Sequence, residues 1–210
     1  MIYAESALTL ELQNKVVRNG FALVPNVFDS AQLNALLLAL DTLGNTEAVR
    51  RRGAVFAVRN LLDVCPEVNA LAHSKELMSL VEPFLGGAAF PVRGILFDKI
   101  PGANWKVPWH QDLTIAVSQR IETDGFGPWS VKADVLHVQS PVHILENMLT
   151  LRLHLDDCGE SNGPLKVLPG SHRSGRLSEQ SIEEARRSQS PIVCTTPAGG
   201  VLLMWSGAAK

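Results

Sequence analysis

The sequence predicts an α+β fold, with helices first and then many short strands that close a sheet sandwich or barrel. Two patterns carry the prediction. Leu33, Leu36, Leu37, Leu40 and Leu43 recur at helical spacing, so an early helix buries one apolar face. From Phe90 onward the apolar stretches shorten and are separated by Pro-Gly, Asp-Gly, Asn-Gly and Gly-Gly pairs, the punctuation of strands and turns. No helical pattern recurs between those stretches, which argues against alternating βαβ units.

Taken in order, residues 6–19 read as a helix stopped by Gly20, a residue that tolerates the left-handed backbone after a helix. Residues 21–24 read as a strand stopped by Pro25. Asp29 or Ser30 can cap the leucine-rich helix, and Gln32, three residues after Asp29, resembles a capping box; Gly44 closes the helix. Arg50-Arg51-Arg52 reads as a solvated loop and residues 54–58 as a strand. Residues 66–85 read as one or two helices, with Pro83 near the end and Gly86-Gly87 as the stop, and His73 as a surface or packing histidine. Strands are expected over 90–100, 113–117, 131–138, 149–155, 165–168, 192–194 and 201–204.

The bulk properties narrow the function classes. A chain of 210 residues without an internal repeat or a flexible linker is expected to form a single domain, 1–210. Its formal charge of -2 argues against a broad nucleic-acid surface. Cys65, Cys158 and Cys194 are odd in number and far apart, which disfavours a structural zinc site or a disulfide framework and suits a reducing compartment. The first residues lack a basic start followed by an apolar core, and no apolar run reaches the length of a membrane span. A cytoplasmic protein with a small-molecule partner, and no nucleic-acid or membrane partner, is expected.

Residues 105–112, Trp-Lys-Val-Pro-Trp-His-Gln-Asp, hold the chemistry. In an extended strand, residues two apart point to one face, so His110 and Asp112 present an imidazole and a carboxylate together. Those are two of the three donors of the 2-His-1-carboxylate set that holds non-haem Fe(II). A bare His-x-Asp is common by chance, and its meaning depends on what surrounds it. In 149–155 the leucines share one face while Thr150, Arg152 and His154 share the other. That second face is either the lining of a site or the solvated side of the sheet. His172, at the exit of a strand, is by pattern alone a loop hydrogen-bonder, and His137 and His143 are loop polar contacts.

Together, Phe97-Asp98-Lys99, the run from Asn104 to Asp112, Leu155-Asp156-Asp157 and the stretch from Asn162-Gly163 to Pro169-Gly170-Ser171-His172 resemble the phytanoyl-CoA dioxygenase family, from about Gly20 to Met204. The resemblance implies a double-stranded β-helix (a jelly-roll or cupin-like barrel) behind N-terminal helices. It also implies Fe(II), 2-oxoglutarate as cosubstrate and O2, with ascorbate as a supporting reductant. The reaction implied is hydroxylation of a small organic substrate. By position, His110 and Asp112 match the first two iron ligands. Related halogenases lack this carboxylate and bind a halide instead, so Asp112 points to hydroxylation. Trp129, Lys99 and Arg152 are the candidates for binding the cosubstrate.

In that family a strand after a stretch like 197–204 carries a distal iron-binding histidine, followed by an arginine for the far carboxylate of 2-oxoglutarate. This sequence has no histidine beyond His172 and no arginine beyond Arg187. The expectation is therefore a domain C-terminally truncated relative to the family, without its last barrel strand or strands. An open sheet edge would allow self-association. His154 and His172, with Arg152 beside them, are the substitutes within reach. Three readings follow: an oxygenase, a catalytically impaired relative that binds or scaffolds, and a cupin-like metal protein without oxygenase chemistry.

Overall fold

A computed structural model describes residues 2–43, 49–52, 54–85, 89–98 and 107–210, with side chains left aside in 2–9, 49–52 and 54–57. In chain order the elements are α1 (Ile2–Asn19), β1 (Phe21–Val24), α2 (Ser30–Asp41), β2 (Val49–Arg52), β3 (Ala54–Val58), α3 (Leu61–Val64), α4 (Pro66–Ala72), α5 (Lys75–Leu85) and β4 (Leu96–Phe97). They continue as β5 (Thr114–Val117), β6 (Trp129–Lys132), β7 (Val135–Gln139), α6 (Val142–Leu145), β8 (Leu149–Leu153), β9 (Leu165–Val167), α7 (Glu179–Ser188), β10 (Ile192–Cys194) and β11 (Val201–Trp205). The strands form small antiparallel sheets in the orders β1-β11-β8, β9-β10, β2-β3-β4 and β5-β7-β6. The class is α+β.

The sheet β1-β11-β8 divides the core. Leu151 pairs with Leu203, and with Val201 and Trp205 these residues pack on Val16 of α1, Leu33 of α2 and Val81 of α5. Leu202 and Met204 point the other way and pack with Phe21, Val167, Cys194 and Ala208. Arg152 is the partner of Leu202, and Thr150 of Met204, so their face turns toward β9 and β10. His154, at the end of that face, is 6% exposed, which settles the alternative in favour of an inner face. The three cysteines are buried free thiols, and burial pushes the Cys194 thiol up to about 12.

Several local signals act as expected. Gly20 ends α1 at φ +89 and its N–H donates to Val16 O at 2.8 Å. The Asp29 carboxylate accepts from Gln32 N–H at 2.8 Å, and the Gln32 side chain accepts from Asp29 N–H at 3.0 Å. The stretch 66–85 forms two helices, α4 and α5.

Elsewhere the structure departs from the sequence patterns. Residues 50–52 belong to β2, where pairing with β3 gives a triple-arginine run a place in a sheet. Residues 131–138 are not one strand: Ala133 and Asp134, at φ +48 and +60, turn β6 back onto β7. Two positive φ values at the centre of a hairpin are normally supplied by Asn-Gly or Asp-Gly, and Ala-Asp gives no such signal. Of 90–100, only Leu96–Phe97 is a strand among the described residues. The helices α3, α6 and α7 fall outside the expected elements, although α7 carries an N-cap at Ser178, an acidic first turn and Arg186 and Arg187 in its last turn. Among the described residues, no helix is long and apolar enough to cross a membrane.

Candidate metal centre

The segment carrying His110 and Asp112 is clamped on both sides. Trp109 packs with Leu168, Ile182 and Ala209, and the Arg186 guanidinium lies 4.9 Å from its ring centroid. Gln111, 7% exposed, donates through Nε2 to Gly175 O at 2.9 Å and Gly207 O at 2.6 Å, and its Oε1 accepts from Leu177 N–H at 2.7 Å. Because Gln111 points into the protein, its neighbours His110 and Asp112 turn to the opposite side. The main chain then pairs with residues 206–210: His110 N–H donates to Lys210 O at 2.9 Å, Lys210 N–H returns to His110 O at 3.0 Å, and Asp112 N–H donates to Ser206 O at 3.2 Å.

The Pro-Gly-Ser-His turn positions that partner segment. Ser171 Oγ donates to Leu168 O at 2.7 Å and accepts from Ala209 N–H at 2.9 Å. Leu168 N–H donates to Ala209 O at 3.0 Å. A motif that looked like a strand exit thus fixes the residue before Lys210.

His110 Nδ1 donates to Pro108 O at 2.8 Å, which leaves the Nε2 lone pair turned toward Asp112 Oδ1 at 3.8 Å. Both atoms are acceptors in this tautomer, and their separation is too wide for a hydrogen bond. A cation is what such a pair would share. A histidine whose second nitrogen is held by a backbone carbonyl is the usual arrangement of a metal-binding imidazole. The other carboxylate oxygen, Asp112 Oδ2, is 2.9 Å from Lys210 Nζ, and the lysine side chain is 6% exposed. Among the described residues no group of three His, Cys, Asp or Glu residues could hold a metal ion.

The other candidates lie apart from this pair. His172 donates from Nε2 to Val17 O at 3.2 Å and packs so closely on Gly20 that a Cβ there would collide with its Nδ1. Its ring ties the turn to α1. His154 follows β8, with His154 N–H donating to Gly200 O at 3.0 Å and neither ring nitrogen hydrogen-bonded. Burial first, and then the charge of Arg152, push its pKa down. Trp129 pairs with Val138, on the sheet face opposite Lys132 and His137, and the Arg120 guanidinium lies 5.2 Å from its ring centroid. Lys99 lies outside the described residues. Asp98 and Asp156, from two of the sequence motifs, come close enough that Asp156 adds to the burial that pushes the Asp98 carboxyl up.

Residues that sequence reasoning passed over surround the pair. Burial first and then the charge of Arg59 push the Arg93 pKa down, and burial, Arg93 and Arg59 push Lys132 down, while Asp112 acts in the opposite direction on both. Lys132 could have been flagged by its alternation with Ser130 once the hairpin was recognised. Arg59 and Arg93 had no such signal.

The family model described as phytanoyl-CoA dioxygenase matches residues 16–208. The chain is 26% identical over 187 residues to an ectoine dioxygenase of Bordetella parapertussis, covering 82% of this chain and 54% of the relative. It is 25% identical over 190 residues to the L-proline trans-4-hydroxylase of Streptomyces griseoviridis, covering 87% of this chain and 62% of that one. The chain therefore spans about half to three fifths of the length of these relatives. Its fold is similar to the crystal structure of EctD from S. alaskensis with 2-oxoglutarate and 5-hydroxyectoine, with a TM-score of 0.69 at 19% identity over 93% of this chain and 67% of that one.

Proposed function

This chain belongs to the phytanoyl-CoA dioxygenase family, and on that premise we propose that it is part of an Fe(II)- and 2-oxoglutarate-dependent oxygenase that hydroxylates a small organic substrate. The observation that carries the proposal is the pair of facing acceptors, His110 Nε2 and Asp112 Oδ1, held by the Pro108 carbonyl and the Gln111 clamp. The pair fits a divalent cation as two of the three donors of an Fe(II) site. Residues 1–210 are read as a single domain of this family, a reading supported by the extent of the family match. Its sheets are read as portions of a double-stranded β-helix, supported by the likeness to EctD.

When bound at this pair, iron would supply the activation of O2 that couples oxidation of 2-oxoglutarate to succinate and carbon dioxide with hydroxylation of a C–H bond. The chain's own residues do the positioning. Pro108 O fixes the His110 tautomer, Gln111 sets the register of the segment, and Ser171 holds the facing segment after β11. Arg152, on the inner face, and Trp129 of β6 are the described candidates for binding the cosubstrate.

Lys210 favours a second reading. Its ammonium lies on the free side of Asp112, where a third metal donor would add affinity and an ammonium does not. In that reading the chain is a catalytically impaired relative that binds a small molecule without turning it over. The two are separated by supplying Fe(II), ascorbate and 2-oxoglutarate and measuring succinate. Slow release without added substrate supports the oxygenase, and complete absence of succinate supports the impaired relative.

A further inference from the structure

A cavity of about 190 Å³ lies between the 91–94 segment, the start of α3 and the sheet β5-β7-β6, and its walls include Arg93, Asn60, Asp63, Ala116 and Val135. The strand register brings further groups to the same sheet face. His137 is paired with Ala116 and stands two residues from Val135 on β7, and Lys132 is paired with Val135. Directly paired residues of antiparallel strands share a face, so Lys132 and His137 turn to the cavity side. Arg59 precedes Asn60 of the cavity wall.

This cluster is unusual in what it leaves unpaired. Among the described residues, Arg59, Arg93 and Lys132 have no carboxylate within ion-pair distance. Arg93 Nε is buried without a hydrogen-bond partner, and so is Nε2 of His137, a side chain that is 0% exposed. His137 Nδ1 is already committed to Val135 O at 2.8 Å. The three cations are partly buried, and a partly desolvated charge without a counter-ion gains from an anionic ligand. Asp63 on the wall and Asp112 nearby are the opposing charges, two carboxylates against three cations, and Asp112 already holds Lys210.

We propose that Arg59, Arg93 and Lys132 form a carboxylate-binding site, so that the small molecule held beside His110 and Asp112 carries an acidic group seated in this cavity. Arg59 adds to the burial that lowers the Arg93 pKa, and Arg93 and Arg59 add to that of Lys132, so like charges gather on this cavity face. The guanidinium fork of Arg93 suits a planar carboxylate. The inference rests on the proposed function only in taking the neighbouring pair as the reaction centre. The acidic group is the substrate's own, distinct from the cosubstrate carboxylate for which Arg152 is the candidate.

The test is calorimetric titration of the metal-free protein, held in chelator, with succinate and with its neutral analogue succinamide. Succinate is expected to bind and succinamide not. Arg93→Met should weaken succinate about tenfold or more, and Lys132→Gln, on a less enclosed side chain, several-fold. Equal binding of the two probes, no succinate binding, or parental affinity in both variants would overturn the site. Repeating the titration with Mn(II) and saturating 2-oxoglutarate assigns a site that passes. Continued succinate binding marks a substrate carboxylate, and competition by 2-oxoglutarate would overturn the site. Mn(II) binding that persists in His110→Ala would remove the metal reading instead, and leaves the chelator titration standing by itself.

Discussion

Lys210 Nζ lies 2.9 Å from Asp112 Oδ2, while His110 Nε2 faces the other oxygen of the same carboxylate at 3.8 Å. One aspartate is thus shared between an internal ammonium and the position a metal would take.

Replacing that ammonium should strengthen metal binding. With Lys210→Met, Asp112 loses its built-in counter-charge and both oxygens become available. Asp112 is 48% exposed, so solvent screens the ion pair and the expected gain is several-fold, up to about tenfold, in Mn(II) affinity. A Mn(II) titration followed by electron paramagnetic resonance reads this directly, and unchanged or weaker affinity would count against a competing role for Lys210.

Gln111→Ala should cost stability. The buried amide serves two carbonyls and one N–H on two other segments, and alanine leaves all three without a partner. Such losses cost about 1–3 kcal/mol each when unsolvated, and partial access of water brings the expected total to the same range. Urea unfolding should show it as a lower midpoint, and an unaltered midpoint would mean that the clamp is not needed.

The local rules of the chain were legible where one short signal sufficed. Gly20, the Asp29–Gln32 box and the leucine helix depend on neighbours in sequence, and each acts as its residues suggest. The facing of His110 and Asp112 likewise needed only the two-residue period of an extended chain. The hairpin at Ala133-Asp134 was hidden because tertiary contacts impose its positive φ values, among them Asn60 Nδ2 donating to Ala133 O at 2.8 Å across the fold. Gln111 as a clamp, Ser171 as a bracket for Ala209, and the meeting of Arg59, Arg93 and Lys132 all join residues far apart in sequence. His154 and His172 had the right chemistry for ligands, but one sits at the end of β8 and the other is committed to α1.

Gly20→Ala should destabilise the protein for two reasons. Its φ of +89 disfavours any side chain, and the new methyl would collide with His172 Nδ1. The backbone term alone is about 1–2 kcal/mol, and displacement of His172 from Val17 O adds to it. Thermal unfolding should report a clear drop, whereas a melting temperature equal to the parent's would show that the turn can relax.

Acidification should weaken the fold. Burial comes first among the causes that push His137, His154 and His172 below the ordinary value of 6.5. At higher pH these histidines are neutral in both states and contribute nothing. As pH falls through 6.5 the unfolded chain takes up protons that the folded chain resists, so stability declines from there to the lowered folded values. Unfolding free energy measured between about pH 7.5 and about pH 5.5 should fall, and the slope should lessen in His154→Gln. A flat profile in the parent would contradict it.

The most direct test of the central claim is Mn(II) binding to Asp112→Ala beside the parent, with circular dichroism to establish that both are folded. The half-exposed carboxylate can be removed without opening the core, so the variant should keep its fold and lose Mn(II) binding. A folded Asp112→Ala protein with the parental Mn(II) affinity would contradict the assignment of His110 and Asp112 as the metal-binding pair.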